Sequence, residues 1–230
     1  MKNCLKSAQF FLIFLFMTIG LFAQVPSVIE KIRIPLWSEI DAYPDSEEAR
    51  VAAKGEYNYP VEQVKKTAPF LLNGMVYGWN FIYVPSDKLR GVDEYFEVTE
   101  IADFEPYLSK VTYTSPWQED NRINVWCEYS RTDAQIQNYY NWSTIEHPVI
   151  HGRGYGELSD GFDGFTNATK DALKNAVREY YRKILKNKPK EISGSVLIKD
   201  EPLSGINSGK YVVNLDFYLE CGRILRYTAF

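Results

Sequence analysis

Histidine is scarce in this chain, with 2 residues in 230, and cysteine and methionine number 3 each. So few imidazoles and thiols exclude a His- or Cys-rich metal centre and leave little for Ser-His or Cys-His catalysis. A Gly-x-Ser-x-Gly nucleophile elbow is absent. Positive charge is not in excess, since 26 Lys plus Arg stand against 30 Asp plus Glu, so a nucleic-acid partner is not expected. Past the first 23 residues there is no apolar stretch of 18, and no later helix is expected to span a membrane. With 45% hydrophobic and 24% charged residues, disorder, collagen and coiled coil are also excluded.

What is present begins with a leader. Lys2 and Lys6 precede an apolar run from Phe10 to Phe22. It is shorter than the roughly 20 residues a spanning helix needs, and Leu21-Phe22-Ala23 followed by Pro26 reads as a signal-peptide cleavage site. Residues 1–23 are therefore expected to be removed and the mature chain to be exported, periplasmic or envelope-associated. The leader takes two of the 26 basic residues with it, which leaves 24 against 30 acidic ones, a formal charge of −6. It also takes Cys4. Alternation places the remaining Cys127 and Cys221 on inward strand faces, where an exported protein has them either bridged or merely buried.

Ile32 to Trp37 reads as a first strand, with Pro35 marking an edge. Asp45 and Glu48 have the spacing of a helix start, and a second helical piece runs from Pro60 towards Leu72, with Pro69 as a break. Met75 to Val84 alternates as a strand, and Glu94 to Ile101 returns beside it after a loop through Gly91. Further strands are expected at Lys110–Thr114, Arg122–Ser130 and His147–Leu158, with turns at Pro116, Asp120-Asn121 and residues 138–141. The strongest helix spans Thr166 to Asn187, where Ala168, Ala172, Leu173, Ala176, Val177 and Tyr180 recur at three- and four-residue spacing, and Pro189 ends it. Ser193–Lys199 and Lys210–Cys221 complete a long-loop hairpin. The expected fold is α+β, with helices packed on one face of mostly antiparallel sheet. The two ends share an order of strand, helix and hairpin, which suggests a degenerate duplication. On that reading residues 24–108 and 147–230 are two strand-helix-hairpin units joined by a strand-rich region, 109–146, or residues 24–230 form one compact domain.

Candidate chemistry is thin. His147 and His151 share one face if the strand is regular, yet no third ligand accompanies them, so no metal is expected. Gly152, Gly154 and Gly156 miss both dinucleotide and phosphate-loop spacing and read as a strand thinned for close backbone packing. Ser159, Asp160 and Asp163 lack the ligand series of a calcium loop. Acidic pairs such as Glu47-Glu48, Asp93-Glu94 and Glu119-Asp120 read as solvated surface. No cofactor is expected.

Aromatics are the unusual feature, with 17 Tyr, 13 Phe and 5 Trp. Tyr77, Trp79, Phe81 and Tyr83 form a stripe that is either sheet core or an exposed recognition face. Trp117, Trp126 and Trp142 form a second aromatic region.

The run His151-Gly-Arg-Gly-Tyr-Gly-Glu-Leu, followed by Ala168, Ala172, Ala176 and Tyr180, resembles the strand and Ala-rich helix of exported bacterial α+β domains. These occur in the flagellar basal-body T protein and in small envelope lipoproteins. The resemblance covers residues 147–221; the chain departs from it in the longer Ser159–Phe165 segment and in lacking a lipid-attachment Cys after the leader. It implies a non-catalytic envelope component acting by contact with a protein partner. A periplasmic or secreted binding protein for a glycan or peptide is the alternative, using the Tyr77–Tyr83 stripe with Trp117, Trp126 and Trp142. A hydrolase built from distant carboxylates is a third.

Overall fold

The computed structural model describes residues 27–40 and 58–227. The leader and the expected Asp45 helix start lie outside them. Among the described residues nine strands and four α-helices follow in order: α1 (Ser27–Glu30), β1 (Lys31–Glu39), α2 (Asn58–Val76), β2 (Trp79–Val84), β3 (Tyr95–Glu100), β4 (Thr112–Glu119), β5 (Arg122–Ser130), α3 (Asp133–Trp142), β6 (Val149–Glu157), α4 (Phe162–Ile184), β7 (Glu191–Ile198), β8 (Leu203–Asn207) and β9 (Lys210–Leu225). All the strand pairs are antiparallel, in a three-stranded sheet β1-β5-β4 and a six-stranded sheet β3-β2-β7-β9-β6 with β8 beside β9. The α+β expectation holds. Pro35 lies on an edge strand, as its missing N–H requires, because β1 pairs only with β5.

The two sequence halves part company in their sheets. β1, the first strand of one run, joins β5 in the small sheet, whereas β6, the first strand of the other, joins β9 in the large one. One apolar cluster runs through both sheets, from Ile34, Val125 and Cys127 to Leu71, Leu173 and Phe217.

Helix α2 is one piece. Pro69 does not break it: Val64, Ala68, Leu71, Leu72, Met75 and Val76 are all buried at helical spacing, and only the exposed Lys65 loses a carbonyl partner to the proline. Met75 and Val76 therefore belong to the helix rather than to the expected strand. The turn comes at Gly78, whose φ of +83° and hydrogen bond to the Asn73 carbonyl (3.1 Å) end the helix. A Cβ there would strike the Val196 carbonyl oxygen.

The glycines of β6 have a packing role. Gly152, Gly154 and Gly156 face α4, and a Cβ on each would overlap the carbonyl oxygens of Ala172, Ala168 and Gly164 in turn. A two-residue repeat on the strand is thus matched to small residues four apart on the helix, so the two backbones touch. Gly164 lies inside α4, which starts at Phe162, four residues before the expected Thr166.

The other face of the large sheet is partly covered by α3, through Trp142 and Tyr139 against Leu197 and Tyr218. The turn expected at residues 138–141 is part of this helix. Its helix signal was Thr132 with Gln135, a capping box in which the Thr132 side chain accepts from the Gln135 N–H while the Gln135 side chain accepts from the Thr132 N–H. The same Gln135 accepts from the Tyr129 hydroxyl (2.8 Å) and donates to that of Tyr77 (2.9 Å). Arg131, 8% exposed, donates to the carbonyls of Ile29 and Met75 and lies 4.7 Å from the Tyr139 ring centre, so it pins α1 and the end of α2 to α3. Burial lowers its guanidinium to about 10, and it stays charged at neutral pH.

Candidate functional site

The expected aromatic stripe is core. Trp79, Phe81 and Tyr83 are 1%, 1% and 3% exposed; Trp79 stacks on Phe70 at 5.0 Å, and the Tyr83 hydroxyl donates to Glu94 at 2.9 Å. Tyr77 lies in the turn before β2, where burial raises its hydroxyl to about 12. A recognition face at Tyr77, Trp79, Phe81 and Tyr83 is corrected on this ground: the alternation that faces these rings one way faces them towards the helices. Trp142 is buried too, with its ring 5.0 Å from that of His147.

A different aromatic face is partly exposed. In the small sheet Ile32, Ile34 and Leu36 of β1 and Val125, Cys127 and Tyr129 of β5 point inward. The intervening residues point outward, and register sets Trp37 opposite Asn124, itself opposite Trp117, with Trp126 between Pro35 and Thr114. Three of the five tryptophans therefore share one outer face. Trp117 lies 6.0 Å from Trp126, the Arg33 guanidinium lies 4.2 Å over Trp126, and that of Arg122 lies 4.4 Å over Trp37.

Carboxylates hold those cations in place. Glu128 takes Lys31 at 2.7 Å and Arg33 at 3.2 Å, and Glu39 takes Arg122 at 3.2 Å. The hydrogen bond from Lys31, helped by the charge of Arg33, keeps the Glu128 carboxyl below its usual range. These pairs hold three cations with two carboxylates, and what the face offers a partner is the apolar ring surface of Trp117, 37% exposed, beside the partly buried Trp126 and Trp37. On the free edge, Ser115 with φ of +49° and Pro116 form a bulge between Thr114 and Trp117 that interrupts the ladder. The face continues into a groove of about 380 Å³ between Pro35 and Trp37 of β1 and Leu203, Ser204 and Gly205 of β8, where the Trp37 indole N–H donates to Ser204 Oγ at 2.9 Å.

Sequence reading found Trp117 and Trp126 but not Trp37 as their companion, because β1 and β4 reach the same face only through β5. The available signal is Arg33-Ile-Pro-Leu-Trp37, in which the apolar Ile34 and Leu36 alternate with Arg33, Pro35 and Trp37.

The remaining candidates do not gather. His147 precedes β6 and its Nδ1 is 3.1 Å from Thr144 Oγ1, while His151 on the large sheet pairs with Asp216 at 2.6 Å. Cys127 and Cys221 are in different sheets and unbridged; Cys127 is buried and Cys221, expected to point inward, is exposed. Burial pushes the Cys127 thiol up to about 12. Among the described residues no helix is long and apolar enough to cross a membrane.

Comparison with known proteins places the chain in a family. The chain belongs to an uncharacterised protein family whose model matches residues 20–227. It is similar to an uncharacterised protein of Treponema pallidum (strain Nichols), 28% identical over 199 residues, which are 86% of this chain and 83% of the relative. No solved structure matches the chain. Neither finding supports the finer resemblance of residues 147–221 to the flagellar T protein or to envelope lipoproteins.

Proposed function

We propose that this family member is an exported, non-catalytic protein of the bacterial envelope that acts by contact with a protein partner, through the outer face of β1, β5 and β4. The observation that carries the reading is the gathering of Trp37, Trp117 and Trp126 on one outward sheet face with guanidinium groups stacked on two of them. Trp and Arg are the residues most enriched among those that dominate protein interfaces, and ion-paired Arg33 and Arg122 reach such an interface already ordered. The leader of residues 1–23 supports export. The strand and Ala-rich helix resembling those of the flagellar T protein and envelope lipoproteins support an envelope component.

Cross-linking in cells that express the tagged full-length protein, followed by purification from the envelope fraction and mass spectrometry, tests the reading. The expected result is a reproducible partner set that disappears with Trp117→Ala and Trp126→Ala while the protein level is unchanged. Recovery of the wild-type protein alone, or the same partners with the double variant, overturns it.

The groove beside Trp37 favours a second reading, a glycan or short peptide held against the indole. A thermal shift with such a ligand at micromolar concentration, lost in Trp37→Ala, would select it.

A further inference from the structure

The C-terminal end of α4 borders a cleft of about 1030 Å³, walled by residues 184–188, by residues 86–90 of the β2–β3 connection, and by Arg226 and Tyr227 after β9. A smaller hollow of about 400 Å³ shares Lys186 and Lys188 with it; there Arg178 faces Glu94, and Arg182 is paired with Glu179. The charge of the cleft is opposite to that of the chain. Lys88, Arg90, Lys186, Lys188 and Arg226 face one carboxylate, Asp87, and Arg90 already pairs with it. Among the described residues Lys88, Lys186, Lys188 and Arg226 have no carboxylate partner.

The negative end of the helix dipole accounts for Lys186 and Lys188. It does not account for Lys88, Arg90 and Arg226, which two other segments bring to the same place against their mutual repulsion. The β2–β3 connection is braced to hold them there. Asp87 and Val92 exchange backbone hydrogen bonds of 2.8 and 3.0 Å, the Asp87 carboxylate accepts from the Leu89 N–H, and the Lys188 ammonium donates to the Ser86 carbonyl at 2.8 Å. Arg90 lies 4.3 Å over the Tyr227 ring. Beside these cations Leu89 stands 97% exposed.

We infer that this cleft binds a phosphate-bearing anion. Its cations carry more positive charge than one carboxylate ligand would neutralise, a phosphate group brings close to two negative charges, and both Arg and Lys bind it well. The braced loop lowers the ordering cost of binding. The phosphate can belong to a soluble compound or to an anionic lipid headgroup, in which case Leu89 enters the bilayer edge.

The test uses the full chain, expressed with its own leader and purified. Pyrophosphate is titrated by calorimetry, and flotation is measured with phosphatidylglycerol–phosphatidylcholine vesicles and with phosphatidylcholine vesicles alone. Lys88→Glu with Lys186→Glu is compared with Lys65→Glu with Lys66→Glu, exposed lysines of α2 outside the cleft. The expected result is salt-sensitive binding of one probe, weakened at least roughly tenfold by the cleft pair and unchanged by the α2 pair. Vesicle binding lost in Leu89→Ser assigns the phosphate to lipid, and pyrophosphate binding indifferent to Leu89→Ser assigns it to a soluble compound. No binding of either probe, or equal weakening by the two charge-matched pairs, overturns the inference.

Discussion

Gly154 and Ala168 meet backbone to backbone, so that a methyl group on the glycine would overlap the carbonyl oxygen of Ala168 and the amide nitrogen of Ala172. Neither obstacle is a side chain that can swing away. Gly154→Ala should therefore cost about 3 kcal/mol or more, the upper end of overpacking penalties, read as a fall in the denaturant midpoint. Gly205→Ala is the control: nothing lies within 4 Å of its would-be Cβ, and the change should stay within about 0.5 kcal/mol.

The tryptophans should divide into two classes. Trp79 is buried against Phe70 and Gly74, and Trp79→Ala should cost about 3–5 kcal/mol. Trp117, 37% exposed on an edge strand, keeps part of its ring in water, so Trp117→Ala should cost clearly less than Trp79→Ala while removing partner capture. Thermal melts of both variants beside the cross-linking assay check this. A melt of Trp117→Ala as depressed as that of Trp79→Ala would make the outer face structural.

Local chemistry explains which parts of this fold were legible. The β5 bounds, Arg122–Ser130, match the expectation because strict alternation and the Asp120-Asn121 turn agree there. The Gly152–Gly156 run was legible as close packing because glycines two apart on a strand have few other uses. β8 falls where the sequence predicts loop: Leu203–Asn207 is only five residues long, and its signal is the turn Ser208-Gly209, with φ of +53° and +74°, which suits a two-residue hairpin. The Trp face was half legible. Alternation says which residues share a side of a strand, but which side meets solvent depends on where α2 and β8 settle, and that is decided by contacts distant in sequence.

The two cysteines should differ in reactivity. Cys127 is buried in the core with its thiol pushed up to about 12, so almost no thiolate forms at neutral pH, whereas Cys221 is exposed on β9. In a Cys4→Ser chain, a maleimide at pH 7 should label one thiol in the native protein, Cys221, and two after denaturation. Label on neither cysteine in denaturant without reductant would mean that they are bridged.

Glu128 links the Trp face to pH. Its carboxyl is held below the usual range, by the Lys31 hydrogen bond first and the Arg33 charge after it, so between the folded and unfolded pKa values the unfolded chain binds more protons. This contribution is complete above the unfolded carboxylate value, near 4.3, and is lost as pH falls through the lowered folded value. Glu128→Gln removes it at every pH. The melting temperature of the variant should lie below that of the wild type at pH 7, and the gap should close on acidification towards pH 3. Arg33 would then have lost its anchor over Trp126 in both proteins, so partner binding by the wild type should weaken over the same acid range, while a Glu146→Gln control keeps the wild-type profile. A melting gap that stays constant from pH 7 to pH 3 would mean that Glu128 acts through packing rather than charge.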